Sequence, residues 1–362
     1  MAVLRGARYC SDGKGIANCR LPIANLFGAL SENRQSAIGN RQSAMSLIGN
    51  RQLAMIFPGQ GSQSPGMGKD LAEKFPVARR VFEEADDALG FAISRLCFEG
   101  PAEDLQLTEN TQPAILTVSV AAFRAMMEEG ISAPAFVAGH SLGEYSALVA
   151  AGTLSLSDAV RTVRARGRYM QEAVPVGTGA MAAVLGGELD AIQRICEEVS
   201  HGQVCSVANL NSPGQVVIAG NTEAVDRAVE GLSGVAKRVV KLKVSAPFHC
   251  ALMKPAQDRL AADLERLEFK EPAMPVVTNV DARATTAPGE LRDALVRQVS
   301  APVRWVESMQ LLIEQSVGTF VEAGPGKVLS GLMRQINRDV KTLNVEDAAS
   351  LEATKGALAA GN

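Results

Sequence analysis

The chain of 362 residues carries 36 basic and 39 acidic residues, so its formal net charge is −3. This near balance excludes the strongly basic surface typical of nucleic-acid-binding proteins, and no apolar run is long enough to cross a membrane. Hydrophobic residues make up 47% of the chain but aromatic residues only 4%, so we expect a sizeable, mainly aliphatic core. The six cysteines show neither C-x-x-C pairs nor zinc spacing, which predicts no metal site and a cytoplasmic protein.

Residues 1–53 differ in composition from the rest of the chain. An Asn-Arg-Gln triplet recurs at 33–35, 40–42 and 50–52, irregularly spaced in a polar context. The repeat matches no solenoid unit and offers too little apolar surface to offset the entropy lost on ordering. We expect this segment to be either disordered or a non-native extension upstream of a true start near Met55. In both cases it takes no part in catalysis.

The first predicted strand, 53–57, runs into a Pro-Gly-Gln-Gly-Ser-Gln loop at 58–63. Glycines after a strand let backbone N–H groups approach a ligand, but the pattern alone favours an ordinary glycine-rich turn. The loop lacks the lysine of a Walker A loop. Helices are predicted next over three segments, the last with Pro113 in its first turn: 71–89, 103–107 and 114–127.

A second apolar run, at 135–138, predicts a short buried strand. A Gly-His-Ser-Leu-Gly turn follows at 139–143, and a helix-forming segment continues to Ala151. Gly-x-Ser-x-Gly between a strand and a helix is typical of a nucleophile elbow, in which glycines permit a strained turn that exposes the serine. The free N–H groups of the helix N-terminus also favour negative charge there. We therefore predict that Ser141 is a nucleophile, against the alternative of an ordinary turn with a serine near a helix cap.

The next predicted helix, 157–174, carries several arginines, of which Arg164, Arg166 and Arg168 are spaced two residues apart. Arginines on a helix usually form a solvated face. Residues two apart diverge by about 200° around a helix, so at least one of the three should point inward. Gly167 beside Arg166 indicates close packing at that point.

From residue 179 onward the pattern changes to strand, helix, two strands around an Asn-Ser-Pro-Gly turn, helix and strand. This βαββαβ order predicts a small ferredoxin-like subdomain at 179–241. It would be inserted into a large α/β core formed by 54–178 and 242–345, with 346–362 as a C-terminal tail.

Repeated strand–loop–helix units predict that the large core is an α/β-hydrolase-like parallel sheet covered on both faces. Ligands bind such sheets at the carboxyl ends of the strands. Gln60, Ser141, His249 and Gly324 all lie at or near predicted strand ends. We therefore expect them to converge on one site.

A nucleophilic serine needs a base, and the chain has three histidines. His140 is adjacent to the serine and should project elsewhere on the turn, and His201 ends a predicted helix. By elimination, His249 in the Ala-Pro-Phe-His segment is the predicted base. A hydrolase triad would add an acid between serine and histidine in chain order. The candidates lie in or beside predicted helices, which disfavours an ordinary esterase: Asp158, Asp190 and Asp226.

Several motifs occur in unbroken order between about Met55 and Leu343. They are Phe-Pro-Gly-Gln-Gly-Ser-Gln at 57–63, Gly-His-Ser-Leu-Gly-Glu at 139–144, Arg-Gly at 166–167, Asn-Ser-Pro at 211–213, Ala-Pro-Phe-His at 246–249, Gln298, and Glu-Ala-Gly-Pro-Gly at 322–326. Together they resemble the malonyl-CoA:acyl carrier protein transacylase family, the acyltransferases of bacterial fatty acid synthesis. Residues 1–53 lie outside the resemblance.

The resemblance implies ping-pong acyl transfer without a cofactor or metal. Ser141 would take malonyl from coenzyme A and pass it to the phosphopantetheine thiol of acyl carrier protein, with His249 as base and then acid. The backbone N–H groups of Gln60 and Leu142 would form the oxyanion hole. Arg166 would bind the malonyl carboxylate with its two-pronged guanidinium.

The resemblance also implies two supporting residues. Gln298 would hold His249 through its main-chain carbonyl. Phe248, beside the base, would crowd an α-methyl branch, so we expect malonyl to be preferred over methylmalonyl.

The expected partners are malonyl-CoA and an acidic acyl carrier protein, with no nucleic acid and no membrane, and the chain is expected to be a monomer. A basic docking patch is expected on the strand before His249, although lysines that guard an exposed edge strand explain the same residues: Lys237, Arg238, Lys241 and Lys243. Three alternatives stay open: an acyltransferase of the same fold serving a polyketide pathway, a serine carboxylesterase, and a non-catalytic carrier-binding scaffold.

Overall fold

The computed structural model describes residues 52–242, 244 and 246–360. The strands are β1 (Gln52–Phe57), β2 (Phe136–Gly139), β3 (Gly179–Leu185), β4 (Cys205–Ser212), β5 (Gln215–Asn221), β6 (Arg238–Lys241), β7 (Val276–Thr278), β8 (Arg283–Thr285), β9 (Val317–Ala323) and β10 (Lys341–Val345).

The helices before the elbow are α1 (Lys69–Lys74), α2 (Pro76–Leu89), α3 (Ile93–Glu99), α4 (Ala102–Gln106) and α5 (Thr108–Glu128). Those after it are α6 (Gly143–Ala150), α7 (Leu156–Glu172), α8 (Leu189–Ser200), α9 (Thr222–Gly231), α10 (Lys254–Glu265), α11 (Pro288–Gln298), α12 (Trp305–Glu314), α13 (Val328–Ile336) and α14 (Ala348–Ala359). A short 3₁₀ helix, Ala251–Met253, precedes α10.

Five parallel strands form most of the larger sheet, whose order is β10-β9-β1-β2-β7-β8, with β8 antiparallel at one edge. The central strand β1 is apolar on both faces because helices cover both. Met55 and Phe57 pack into one apolar cluster, and Ala54 and Ile56 into the other. This arrangement confirms the predicted α/β class with a parallel sheet.

The register of the parallel strands aligns their carboxyl ends. Phe57 at the end of β1 pairs with Gly139 at the end of β2, and Ala138 pairs with Val277 of β7. The loops that follow these strands therefore leave the sheet at the same edge, as the sequence predicts.

Residues 179–241 have the predicted element order, and their strands form a separate antiparallel sheet in the order β4-β5-β3-β6. Helices α8 and α9 bury this sheet's apolar residues, including Val184, Ile192 and Ile218. Two backbone hydrogen bonds, Leu210 N to Val303 O and Val303 N to Ala208 O, both 2.9 Å, join β4 to the segment before α12. The subdomain boundaries and the ferredoxin-like assignment stay predictions.

Helix α5 begins six residues earlier than expected, so Pro113 lies inside it rather than in its first turn. Burial of the early turns favours this longer helix, and the Thr111 hydroxyl donates to the carbonyl oxygens of Leu105 (2.6 Å) and Leu107 (3.1 Å). The predicted helix 71–89 is instead two helices, because Pro76 begins a new one after an extended Phe75.

Four elements were not predicted: α3, β8, β10 and α14. The last lies in the segment expected to be a tail. It begins with a capping box between Asp347 and Ser350 and buries Leu351 completely. The expectation for 1–53 falls almost wholly outside the described residues, and the part within them, 52–53, opens β1. In the described ranges, no helix has the length and apolar character required to span a membrane.

Candidate active site

Ser141 occupies a strained turn between β2 and α6. Its φ is 52°, in the left-handed region that side-chain-bearing residues rarely adopt. A Cβ at Gly139 would lie 1.9 Å from the carbonyl carbon of Gly143, and one at Gly143 would lie 2.1 Å from the carbonyl oxygen of Phe57. Both glycines are therefore required by close backbone contacts, as expected of a nucleophile elbow.

Asn279, which follows β7, fastens this turn from below. Its side-chain oxygen accepts a hydrogen bond from Ser141 N (2.6 Å), and its Nδ2 donates to Gly139 O (2.7 Å). Its own backbone N donates to Glu144 Oε2 at 3.0 Å. The polar end of this strand was visible in the sequence, but this role was not.

The Ser141 hydroxyl contacts the predicted base directly. Ser141 Oγ lies 2.7 Å from His249 Nε2, and His249 Nδ1 lies 2.9 Å from the main-chain oxygen of Gln298. A carbonyl oxygen only accepts hydrogen bonds, so Nδ1 carries the proton and Nε2 presents its lone pair to the serine. The contact between Gln298 O and His249 has the geometry that the resemblance implied.

The imidazole of His249 is almost fully buried and is oriented by that carbonyl. Among the described residues no carboxylate forms an ion pair with it. Two of the candidate acids are occupied elsewhere, because Asp158 pairs with Arg161 and Asp226 with Lys241. Burial, with the positive charge of Arg166, lowers the pKa of His249 to about 3, so the ring is neutral near pH 7.

His249 reaches the sheet edge by a route that differs from the expected one. The strand that precedes it, β6, belongs to the smaller sheet, so the histidine arrives on the returning segment and not from a core strand. Its φ of 60° is also in the left-handed region. The two strained residues of the site thus face each other.

Arg166 on α7 is 2% exposed, which confirms that one arginine of this helix points inward. Its Nη1 donates to Gln112 Oε1 (2.9 Å), and its Nη2 donates to Gln298 Oε1 (2.9 Å) and Ser141 Oγ (3.1 Å). A Cβ at Gly167 would lie 2.6 Å from Thr108 O, so α7 and α5 approach closely here. The neighbouring Arg164 instead lies over the ring of Phe91 at 4.3 Å.

The remaining predicted residues surround these contacts. Gln60, in the loop after β1, is exposed, and its side chain donates to Thr108 Oγ1 at 3.4 Å. Leu142 follows the serine and is buried, and Phe248 is half-buried against the apolar core. The structure therefore gathers the predicted residues at one edge of the larger sheet.

The other histidines do not contact Ser141 Oγ. His140 Nε2 lies 2.9 Å from Asn211 Oδ1 of β4, and its ring centroid is 5.5 Å from that of Trp305. His201 is the C-terminal cap of α8 with φ of 46°. The elimination made from the sequence therefore agrees with the geometry.

Three polar residues of the network were not assigned a role from the sequence: Gln112, Glu144 and Asn279. Gln112 and Glu144 both lie on apolar helices, where a buried polar side chain is unusual. That mismatch was the signal that could have identified them. Their partners lie far away in the chain, so the contacts themselves were not predictable.

The basic patch is only partly described. Lys237, Arg238 and Lys241 are exposed, and Lys241 forms an ion pair with Asp226. Lys243 lies outside the described residues. Within those residues, no group of His, Cys, Asp and Glu side chains is arranged to hold a metal ion.

Comparisons with known proteins agree with this geometry. The acyl transferase domain family matches residues 54–355. A malonyl CoA-acyl carrier protein transacylase of Escherichia coli strain K12 is 53% identical over 282 residues, which span 78% of this chain and 91% of that protein.

Solved structures are equally similar. The crystal structure of an acyl carrier protein S-malonyltransferase from Vibrio cholerae matches with a TM-score of 0.82 and 49% identity, over 84% of this chain and 99% of that one. A malonyl-transacylase in complex with its type II PKS acyl carrier protein matches with a TM-score of 0.82 and 51% identity, over 83% and 98%. The chain therefore belongs to the acyl transferase domain family, and within it to the malonyl-CoA:acyl carrier protein transacylases.

Proposed function

We propose that the chain transfers malonyl from malonyl-CoA to the phosphopantetheine thiol of an acyl carrier protein through a malonyl ester on Ser141. One observation carries the proposal: Ser141 Oγ lies 2.7 Å from His249 Nε2 and 3.1 Å from Arg166 Nη2. A nucleophile, its base and a cation suited to a carboxylate thus meet at one atom.

In the first half-reaction, His249 Nε2 takes the hydroxyl proton as Ser141 Oγ attacks the thioester carbonyl. The Nδ1–H stays bonded to Gln298 O, so the ring keeps its orientation as it becomes cationic. His249 then gives the proton to the coenzyme A sulfur, the carbon–sulfur bond breaks, and malonyl remains on the serine.

In the second half-reaction, the carrier thiol gives its proton to His249 and attacks the ester. The acyl–oxygen bond breaks, His249 returns the proton to Ser141 Oγ, and the malonyl thioester leaves with the carrier. The phosphopantetheine comes with the partner, and the proton transfers use only side chains of this chain.

The backbone N–H groups of Gln60 and Leu142 are proposed to stabilise the oxyanion of each tetrahedral intermediate. Neither group donates to an acceptor in the described part of the chain, so both are available. Leu142 also lies at the N-terminus of α6, where the helix dipole favours negative charge. An oxyanion donor of this kind is typically worth about 10²–10³ in rate.

Arg166 is proposed to bind the free carboxylate of the malonyl group. The guanidinium lies in a buried site where a charge-assisted bidentate contact is strong. Its positive charge also contributes to the lowered pKa of His249. A bound malonyl carboxylate would offset that charge and make the base more basic when the correct acyl group is present.

Phe248 is proposed to limit the α-carbon of the acyl group. Its ring is held against the core beside His249, so an added methyl branch would be crowded. Malonyl should therefore be transferred in preference to methylmalonyl. A cytoplasmic site of action belongs to the same proposal and agrees with four free, buried cysteines.

The test is intact-protein mass after mixing with malonyl-CoA, first without and then with holo acyl carrier protein. The unmodified sequence should gain one malonyl group and lose it to the carrier, and Ser141→Ala should gain none. Ser146→Ala is the matched control, because this buried hydroxyl on α6 has no hydrogen-bond partner among the described residues, and it should still be acylated. Release of malonate without transfer would indicate a hydrolase, and neither adduct nor malonate would indicate a scaffold.

A second carrier class is favoured by one observation, the similarity to a malonyl-transacylase that binds a type II PKS acyl carrier protein. The chemistry at Ser141 is the same for either carrier. Transfer rates to a fatty acid carrier and to a polyketide carrier, measured in parallel, assign the partner.

A further inference from the structure

Glu144, one residue beyond the elbow, is a buried carboxylate that the proposed proton transfers do not use. It has no exposed surface, and its Oε2 accepts hydrogen bonds from Gln298 Nε2 (2.8 Å) and Asn279 N (3.0 Å). Its Oε1 accepts none from the described residues. A buried, half-satisfied carboxylate is costly, so its position beneath the nucleophile requires an explanation.

The explanation lies in the side-chain amide of Gln298. Its Nε2 donates to Glu144 Oε2 and to Ser141 O (3.0 Å), and its Oε1 accepts from Arg166 Nη2 (2.9 Å). Carboxylate and carbonyl oxygens only accept, and a guanidinium only donates. The partners therefore permit one orientation of the amide, with its oxygen toward Arg166.

The same amide separates two opposite charges. Arg166 forms no direct ion pair with any described carboxylate, although it is almost fully buried. A glutamate in direct contact would compete with a substrate carboxylate for the guanidinium. With one amide between them, Glu144 still stabilises the cation, and the N–H groups of Arg166 bond only to neutral oxygens.

We propose that Glu144 is a positioning residue: it fixes the Gln298 amide so that Arg166 is held beside Ser141, charged and free to bind a substrate carboxylate. This inference rests on the proposed function, since it assigns the role of Arg166 to substrate binding. Glu144 itself touches neither the acyl group nor the reacting atoms. Its loss should therefore weaken recognition of malonyl more than it weakens the Ser141–His249 pair.

The experiment compares two reagents that acylate or label Ser141. Malonyl-CoA requires the guanidinium, whereas a neutral fluorophosphonate requires only the serine and its base. Rates of adduct formation for both are measured by mass on the unmodified sequence, Glu144→Ala and Glu144→Gln. Glutamine keeps an acceptor oxygen and nearly the same shape, so it serves even where alanine prevents folding.

Glu322 provides a matched control. It is also fully buried and accepts two backbone hydrogen bonds, from Leu329 N (3.0 Å) and Ser330 N (2.7 Å) at the start of α13. No hydrogen bond links it to Gln298 or Arg166 in the described part of the chain. Glu322→Gln should lower stability and leave the ratio of the two labelling rates unchanged.

For Glu144→Ala we expect kcat/KM with malonyl-CoA to fall by about tenfold or more, largely through KM. Glu144→Gln should lose about threefold, and fluorophosphonate labelling should change by less than about twofold in both. An equal loss with both reagents, or an unchanged ratio, would overturn the inference and leave Glu144 a structural residue. A failure of the unmodified sequence to form a malonyl adduct would instead overturn the proposed function.

Discussion

The two sheets of this protein treat polar side chains in opposite ways. At the carboxyl edge of the larger sheet, Glu144, Arg166, His249, Asn279 and Gln298 are all at most 4% exposed and bond to one another or to the elbow. The smaller sheet buries aliphatic residues and cysteines under α8 and α9. Its charged groups stay outside.

The difference shows where the chain accepts the cost of burying polar groups. A buried network is stable only when nearly every donor and acceptor is satisfied, so each member depends on the others. Exposed ion pairs such as Lys241–Asp226 contribute little, because water screens them. Substitutions should therefore have large effects at the first region and small effects at the second.

Arg166→Ala should break the comparison most strongly. It removes the proposed partner of the malonyl carboxylate and leaves Gln112 and Gln298 oxygens without their donor. We expect kcat/KM for malonyl-CoA to fall by about a hundredfold or more, since loss of one partner of a desolvated charge contact costs several kcal/mol. Steady-state transfer assays measure the loss.

Arg164→Ala is the control for this change. The same helix carries it, but its guanidinium lies over Phe91 and away from the network. Its activity should stay within about twofold of the unmodified sequence. Full malonyl activity in Arg166→Ala would show that another group binds the carboxylate.

The parts of the active site that the sequence predicted are those set by local pattern. The Gly-x-Ser-x-Gly turn needs its glycines whatever lies around it, and buried parallel strands are continuous apolar runs. The inward arginine followed from helix periodicity alone. The choice of His249 followed from having few histidines, and its Ser141 contact is observed.

The unpredicted parts depend on distant contacts. Glu144 and Gln298 are 154 residues apart in the chain, and Ser141 and Asn279 are 138 apart. No local propensity specifies such a pair. Helix α14 was missed for a related reason, since its burial of Leu351 against the core, and not its composition, distinguishes it from a tail.

The pH dependence of acylation should sharpen the comparison within the buried network. Burial raises the pKa of Glu144 to about 7, although Arg166 opposes the shift and Asp281 adds to it. His249 has its pKa lowered to about 3 and stays neutral between about pH 5 and 8. Malonyl-CoA acylation should therefore rise as pH increases through about 7, when Glu144 loses its proton, and not near the usual histidine value.

Glu144→Gln tests this assignment, because a neutral amide replaces the protonated carboxyl. The variant should show no step near pH 7, and the unmodified sequence should converge on its rate at lower pH. Tyr145, the other titratable group beside Glu144, has its pKa raised by burial and so stays neutral in this range. A step that persists in Glu144→Gln would assign it to His249 and would contradict a histidine pKa far below that of the glutamate.

The smallest effect is expected at the smaller sheet. Lys237→Glu combined with Arg238→Glu reverses two exposed charges at the start of β6 and disturbs no buried contact. If this strand docks an acidic carrier, the apparent affinity for the carrier should fall by about three- to tenfold, and added salt should shrink the difference. Self-acylation by malonyl-CoA should not change.

Arg95→Glu is the control for this change in charge, because Arg95 is an exposed residue of α3 whose one ion pair among the described residues is with Glu99 on the same helix. Equal effects of the two reversals would mean that net charge alone attracts the carrier. An unchanged carrier affinity in the β6 variant would leave its basic residues as guards of an exposed edge strand. Only a loss specific to β6 would give the smaller sheet a functional surface of its own, built from solvated charge where the larger sheet uses buried charge.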